Sequence, residues 1–528
     1  MALLYWPDLR PTYRVLWCTP VAQRRLPFTS PIRAVILATA LVATLAGADA
    51  AAPTRDTQAA APVWSACRLD HPSGLASVEA RCSHVTVPEN PAQPRGRQLQ
   101  LFVARIPALS RQASPEPLFI VAGGPGLAAT TFYASASPVF ARIRRHHDLI
   151  LVDQRGTGRS HPLLCQFDEQ QIWDAGEEET ARVMRACRAQ LATDHDLAQY
   201  TTSVAVRDLD AVRQALGYTR ISLYGSSYGT RVAQHYARRF PAQTQALILD
   251  GVVAPTRILG PSTPLDAQAA LERVFERCRN DAACKARFGD PADDYRQLRD
   301  KLAHASVNVL LNDPRSGAPR QLAFTSSVLS GALRLATYTS EQAALLPLAL
   351  HMANRQGQFA PLAAQFLLQA SGYDAVIAYG MHNSVVCAED VPFFASAQMP
   401  REQVAATFLG NAQVDALQAL CTDWPRGPVD ADFHQPLHSD VPALLLSGTA
   451  DPVTPASFGD ESALGFRYAL HLKMPDQGHG QLVQPCMDGI MAAFLDAAHP
   501  GANPSPDTTC LAHAIPAPFF LSMNGPGP

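Results

Sequence analysis

Charge is scarce in this chain: Asp, Glu, Lys and Arg make up 17% of its 528 residues, against about 25% in an ordinary soluble protein. A basic surplus is missing too, since 43 Lys and Arg face 46 Asp and Glu. These deficits argue against nucleic acid as a partner, and 47% hydrophobic content argues against a disordered chain. Long hydrophobic runs are lacking as well. The best, Ala34 to Ala46, holds 13 uncharged residues, short of the roughly 20 that a helix needs to cross a bilayer. No heptad run, internal repeat, C-x-x-C or paired-histidine spacing is found, so neither a coiled coil, a repeat array nor a zinc site is expected. At about 150 residues per domain, the length suits one large catalytic domain with an insertion.

What is present begins with a leader. Arg24, Arg25 and Arg33 precede the apolar run, and Ala48-Asp49-Ala50 follows it as a small-x-small cleavage site, the pattern of a secretory signal peptide over residues 1–50. The arginine pair also fits twin-arginine export. No cysteine sits just after the run, so a lipoprotein anchor has no attachment point. The expected mature protein starts near Ala51, lacks a membrane anchor and is secreted or periplasmic. Residues 1–50 carry five basic and two acidic side chains, leaving 38 against 44 and a charge of -6.

Cysteine usage agrees with export. Ten of the eleven cysteines lie beyond the leader, an even number that suits up to five disulfides. Pairing of sequence neighbours would join Cys67 to Cys82, Cys165 to Cys187, Cys278 to Cys284, Cys387 to Cys421 and Cys486 to Cys510, although spacing alone does not fix connectivity.

Short apolar strands alternate with helical stretches, which predicts an α/β fold: a mostly parallel sheet with helices on both faces. Strands are predicted at 118–121, 149–152, 221–224, 246–249, 443–446 and 468–474, and helices at 204–216, 227–239 and about 483–497. The core would thus comprise residues 51–253 and 441–500, with a tail over 501–528. Residues 254–440 read as a mainly helical cap. There Leu271, Val274, Phe275 and Cys278 share one helix face, and Asp290-Pro291 starts another helix. Further helices are expected at 328–337, 341–354 and 361–368. Such an insertion belongs over the carboxyl ends of the strands, where open α/β sheets bind ligands.

Gly225-Ser226-Ser227-Tyr228-Gly229 lies between a predicted strand and a helix, the setting of a G-x-S-x-G nucleophile elbow. Ser227 is the candidate nucleophile. A serine hydroxyl needs a base and the base an orienting carboxylate; Asp451 and His479 follow in that order, each just after a predicted strand. Asp476 is the rival carboxylate. The glycine loop Ala122-Gly123-Gly124-Pro125-Gly126 follows another strand, and Gly124, with Gly123 beside it, is the candidate to form an oxyanion hole with the Tyr228 N–H. The loop matches neither phosphate-binding glycine motif. Arg155, in Asp153-Gln154-Arg155-Gly156-Thr157-Gly158, is expected to brace loops rather than to react. No cofactor and no metal are called for.

The GGPG at 123–126, DQRGTGRS at 153–160, GSSYG at 225–229, DGVV at 250–253, GTADPVTP at 448–455 and QGHG at 477–480 resemble the α/β-hydrolase serine exopeptidases, a family that includes prolyl iminopeptidases and secreted tripeptidyl aminopeptidases. Length, leader and cysteines are more similar to the tripeptidyl members. Iminopeptidases carry His before GGPG where this chain has Ala122, which removes support for prolyl specificity. The resemblance implies an aminopeptidase acting on peptides with a free N-terminus, whose α-amino group meets carboxylates of the cap. Glu389 and Asp390 are the candidates here, or else they cap a turn before Val391-Pro392. A carboxylesterase on the same fold is the alternative activity, and a non-catalytic binding protein is the reading from another class. The oligomeric state is left open.

Overall fold

The computed structural model describes residues 62–74, 76–166, 177–374, 376–397 and 400–526. The leader at 1–50 lies outside the described residues.

Nine strands form one sheet in the order β1-β2-β3-β5-β4-β6-β7-β10-β11. β1 (Ser65–Asp70), β2 (Ser77–Pro88) and β3 (Gln98–Ile106) run antiparallel, and β3 meets β5 (Leu149–Val152) in the same sense. From β5 onward the pairing is parallel, through β4 (Leu118–Val121), β6 (Ile221–Ser226), β7 (Thr244–Asp250), β10 (Ala443–Gly448) and β11 (Ala469–Met474). The parallel strands other than β11 are buried along almost their whole length because both faces are covered. In β4, Phe119 and Val121 enter one buried cluster while Leu118 and Ile120 enter the other, the alternation that a strand's two-residue period imposes.

The antiparallel strands β1 to β3 were not anticipated. β2 alternates buried and exposed residues along much of its length, so no continuous apolar run advertises it. The Cys67–Cys82 disulfide staples it to β1, and the other four disulfides join the neighbour pairs named above.

Between β7 and β10 the chain is helical with one departure, the antiparallel hairpin of β8 (Val307–Asn312) and β9 (Pro319–Phe324). Asp290 caps the Pro291–Leu302 helix, accepting from the Ala292 N–H at 3.0 Å. The stretch predicted as one helix over 341–354 is two, Ser340–Ala343 and Leu346–Gln356, because Pro347 has no N–H to donate and sits in a first helical turn. The C-terminal helix begins at Met487 rather than 483, after a left-handed Cys486 whose disulfide partner is Cys510.

Residues of this insertion divide between two cores. Leu271, Phe275, Leu298, Leu333 and Leu350 build a core of their own, which Phe519 of the tail also enters. Met381, Val385, Val414, Cys421 and Trp424 instead join the sheet's own cluster beside Leu163, Leu191 and Tyr200. The Cys387–Cys421 disulfide links the Tyr379–Glu389 and Ala412–Cys421 helices within that second group. Replacing both cysteines by alanine is expected to lower stability by about 2–5 kcal/mol, measured by urea unfolding of the double variant against the parent.

Candidate active site

The strand order reverses about β4 and β6: after β4 the chain moves to β5 on one side, after β6 to β7 on the other. The loops leaving β4 and β6 therefore part and open a crevice at the strands' carboxyl ends. Gly123 leaves β4 and Ser227 leaves β6, and a Cβ on Gly123 would lie 2.9 Å from the Ser227 Cβ and 3.6 Å from its Oγ.

Ser227 holds φ 55° and ψ -121° between β6 and the helix Tyr228–Arg239, a region that residues bearing a Cβ seldom enter. Its neighbours make the turn possible. A side chain at Gly225 would run into the Gly229 carbonyl oxygen, and one at Gly229 into the Val121 carbonyl oxygen, so β4, β6 and the helix approach closely only because both positions lack one. The Ser227 N–H donates to the Asp250 carbonyl at 2.8 Å and fixes the turn to β7.

Tyr228 is the first helical residue, so its N–H has no partner within the helix. Gly124 has φ +107°, and among the described residues its N–H and that of Tyr228 donate no hydrogen bond.

Asp451 follows β10 and His479 follows β11. The His479 Nδ1 and Asp451 Oδ2 are 2.7 Å apart. Asp451 is held from all sides: Oδ1 accepts the N–H groups of Val453 at 2.8 Å and Thr454 at 2.9 Å, and Oδ2 accepts the Thr454 hydroxyl at 2.8 Å. The backbone N–H of His479 donates to the Tyr338 carbonyl at 2.7 Å, and the Tyr338 ring stands edge-on to the imidazole. Burial disfavours the imidazolium, but the charge and hydrogen bond of Asp451, with Asp250 adding, outweigh it and raise the His479 pKa above 6.5. Asp476 turns elsewhere, toward Arg273 at 3.5 Å. Thr454 and Asp250 were not singled out from the sequence; their signal is position, one three residues beyond Asp451, the other closing β7.

A family model described as the alpha/beta hydrolase fold matches residues 116–484. The chain belongs to this family. Serine protease Hip1 of Mycobacterium tuberculosis is 26% identical over 469 residues, covering 82% of this chain and 88% of that protein. A tripeptidyl aminopeptidase of Streptomyces coelicolor is 27% identical over 477 residues, covering 83% and 84%. Carboxylesterase B of M. tuberculosis is 29% identical over 487 residues, covering 83% and 88%. The protein is thus a hydrolase of serine-peptidase kinship.

In this α/β hydrolase Arg155 is a brace, fully buried, with its guanidinium on Asp208 at 2.6 and 2.8 Å and on the Glu89 and Gln199 carbonyls. Glu389 and Asp390 are both 0% exposed and bonded to other groups of the protein. Arg231 grips Asp390 with two bonds of 3.0 Å, and the Leu259 N–H adds a third. Glu389 accepts the Thr202 N–H at 2.5 Å and pairs with its hydroxyl at 2.9 Å; that hydroxyl lies 2.6 Å from the Tyr228 phenol oxygen. Burial, with the charge of Asp390 adding, pushes the Glu389 carboxyl up to about 8 against Arg231 and Thr202. Arg231 is the residue sequence reasoning missed. A charged residue on a helix that is buried from Tyr228 to Ala237 was the available sign.

Because the native Glu389 binds its proton more tightly than the unfolded chain does, its contribution makes stability fall as pH rises from about 4.5 to about 8. Glu389→Gln is expected to remove that component, so the melting temperature of the variant relative to wild type should rise between pH 5 and pH 8, as thermal unfolding at both pH values would show.

Proposed function

We propose that this α/β hydrolase is an exported serine aminopeptidase that cleaves peptide bonds near free N-termini through an acyl-enzyme. The observation that supports this most directly is the 2.7 Å pair of His479 and Asp451, standing at the same strand ends as a serine held in the strained turn after β6. Ser227 Oγ attacks the peptide carbonyl carbon while His479 Nε2 takes its proton. Asp451 keeps Nδ1–H in place and stabilises the imidazolium. The carbonyl oxygen, now negative, is received by the N–H groups of Gly124 and Tyr228. The imidazolium gives its proton to the leaving amine, and water attacks the ester by the reverse sequence.

The relatives named serine protease and tripeptidyl aminopeptidase support peptides as substrates. Export is supported by the leader and by five disulfides, bonds that persist in oxidising compartments. Among the described residues no helix is long and apolar enough to cross a membrane. Similarity to a carboxylesterase favours a second reading, ester hydrolysis by the same groups.

Fluorogenic substrates of one to three residues, each with a free and an acetylated N-terminus, separate the two. The aminopeptidase cleaves only the free forms and the productive length is its step; equal cleavage of blocked peptides and simple esters would assign the esterase. Ser227→Ala is expected to lower kcat by on the order of 10⁶-fold. Since only neutral imidazole can act as the base, kcat/KM should climb with pH through a limb centred above 6.5, and a flat profile from pH 5 to 8 would contradict His479 as the base.

A further inference from the structure

His479 has a second carboxylate near it that the mechanism above does not use. Asp250 closes β7, is 1% exposed, and occupies the gap between the serine loop and the histidine loop. Its three oxygens each hold a different segment. The main-chain carbonyl accepts the Ser227 N–H at 2.8 Å, Oδ2 accepts the Tyr224 hydroxyl from β6 at 2.9 Å, and Oδ1 accepts the Gln481 N–H, two residues past His479, at 2.7 Å. The next residue touches the ring itself: a Cβ on Gly251 would lie 2.9 Å from His479 Cε1 and 3.2 Å from Nδ1. Gly251 is in turn fixed by its N–H to the Leu446 carbonyl of β10 at 3.0 Å.

We infer that Asp250 is a positioning residue of this site, joining the Ser227 turn to the His479 turn through a buried carboxylate. This rests on the reading of Ser227 and His479 as nucleophile and base. Asp451 orients the ring at Nδ1, whereas Asp250 sets the backbone on either side of the reacting pair. A surface carboxylate could not do this, because solvent would supply alternative donors to its oxygens and screen its field.

The charged and titratable groups around Asp250 are Tyr224 from β6, Asp451 from the loop after β10 and His479 itself; Arg334, on the Ser326–Ala336 helix, opposes the imidazolium. Burial pushes the Asp250 carboxyl up to about 6, with the Gln481 N–H and Tyr224 hydroxyl pulling the other way. Its charge acts on the His479 equilibrium in the same sense as that of Asp451.

The test is the pH dependence of labelling by a fluorophosphonate probe, which reacts with an activated serine whether the natural substrate is a peptide or an ester. Wild type, Ser227→Ala, Asp250→Asn and Tyr224→Phe are compared from pH 5 to 9. Asn can still accept from Gln481 and donate to the phenol oxygen, so Asp250→Asn removes charge while keeping the frame. Tyr224→Phe removes a donor that favours the ionised carboxylate. Both variants are expected to shift the acid limb of the labelling rate to lower pH, and Asp250→Ala, which loses the frame too, to label on the order of 10²-fold more slowly. A purely structural role would change amplitude or melting temperature and leave the limb where it is. Wild-type labelling that depends on Ser227, with the limb unmoved in Asp250→Asn and Tyr224→Phe, overturns this inference alone. Labelling that persists in Ser227→Ala overturns the assignment of the nucleophile and the inference with it.

Discussion

The left-handed conformation of Ser227 is the constraint on which this architecture turns. An L-residue with a side chain sits there at a cost of order 1–3 kcal/mol, so the surroundings must over-determine it. They do so by close approach: bare backbone at Gly225 and Gly229 lets β4, β6 and the following helix come nearer than any side chain would allow, and the Ser227 N–H is committed to β7. Once that turn is set, the helix starts at Tyr228, its first N–H groups face the crevice, and the loop leaving β4 lies against the serine. The fold around it is a means of holding one hydroxyl at the mouth of a sheet.

Burial then sorts the acidic residues nearby into different tasks. Asp451 is surrounded by donors, two N–H groups, a hydroxyl and the imidazole. Glu389 and Asp390 share one guanidinium, and the deeper deficit falls on Glu389, which burial drives toward its neutral form. Burial raises the Asp250 carboxyl as well. Residue type alone distinguishes none of these cases; what differs is the set of donors and charges that folding brings to each carboxylate.

That difference explains what was legible in the sequence. The central strands could be placed because they are short, uninterrupted apolar runs, and the positions of Ser227, Asp451 and His479 because a glycine-flanked serine and two strand-end residues follow in order. β1, β2 and the β8–β9 hairpin escaped notice because much of each strand is wet and the pattern resembles loop sequence; β3 escaped although six of its nine residues are buried. The set of Arg231, Thr202, Glu389 and Asp390 escaped for another reason. Arg231 and Asp390 are 159 residues apart, and local sequence does not disclose that a guanidinium will reach that carboxylate.

The disulfide connectivity carries a consequence for how the chain reaches this state. Each of the five bonds joins one cysteine to the next one along the chain, over separations of 6 to 34 residues. A polypeptide oxidised while it emerges N-terminus first can close every native bond before the next pair has appeared, so vectorial synthesis and correct pairing coincide and little reshuffling is required. The strands present the opposite problem. β7 pairs with β10 only after the whole intervening insertion has been made, so the sheet is completed late, by a chain in which four of the five bonds can already have closed.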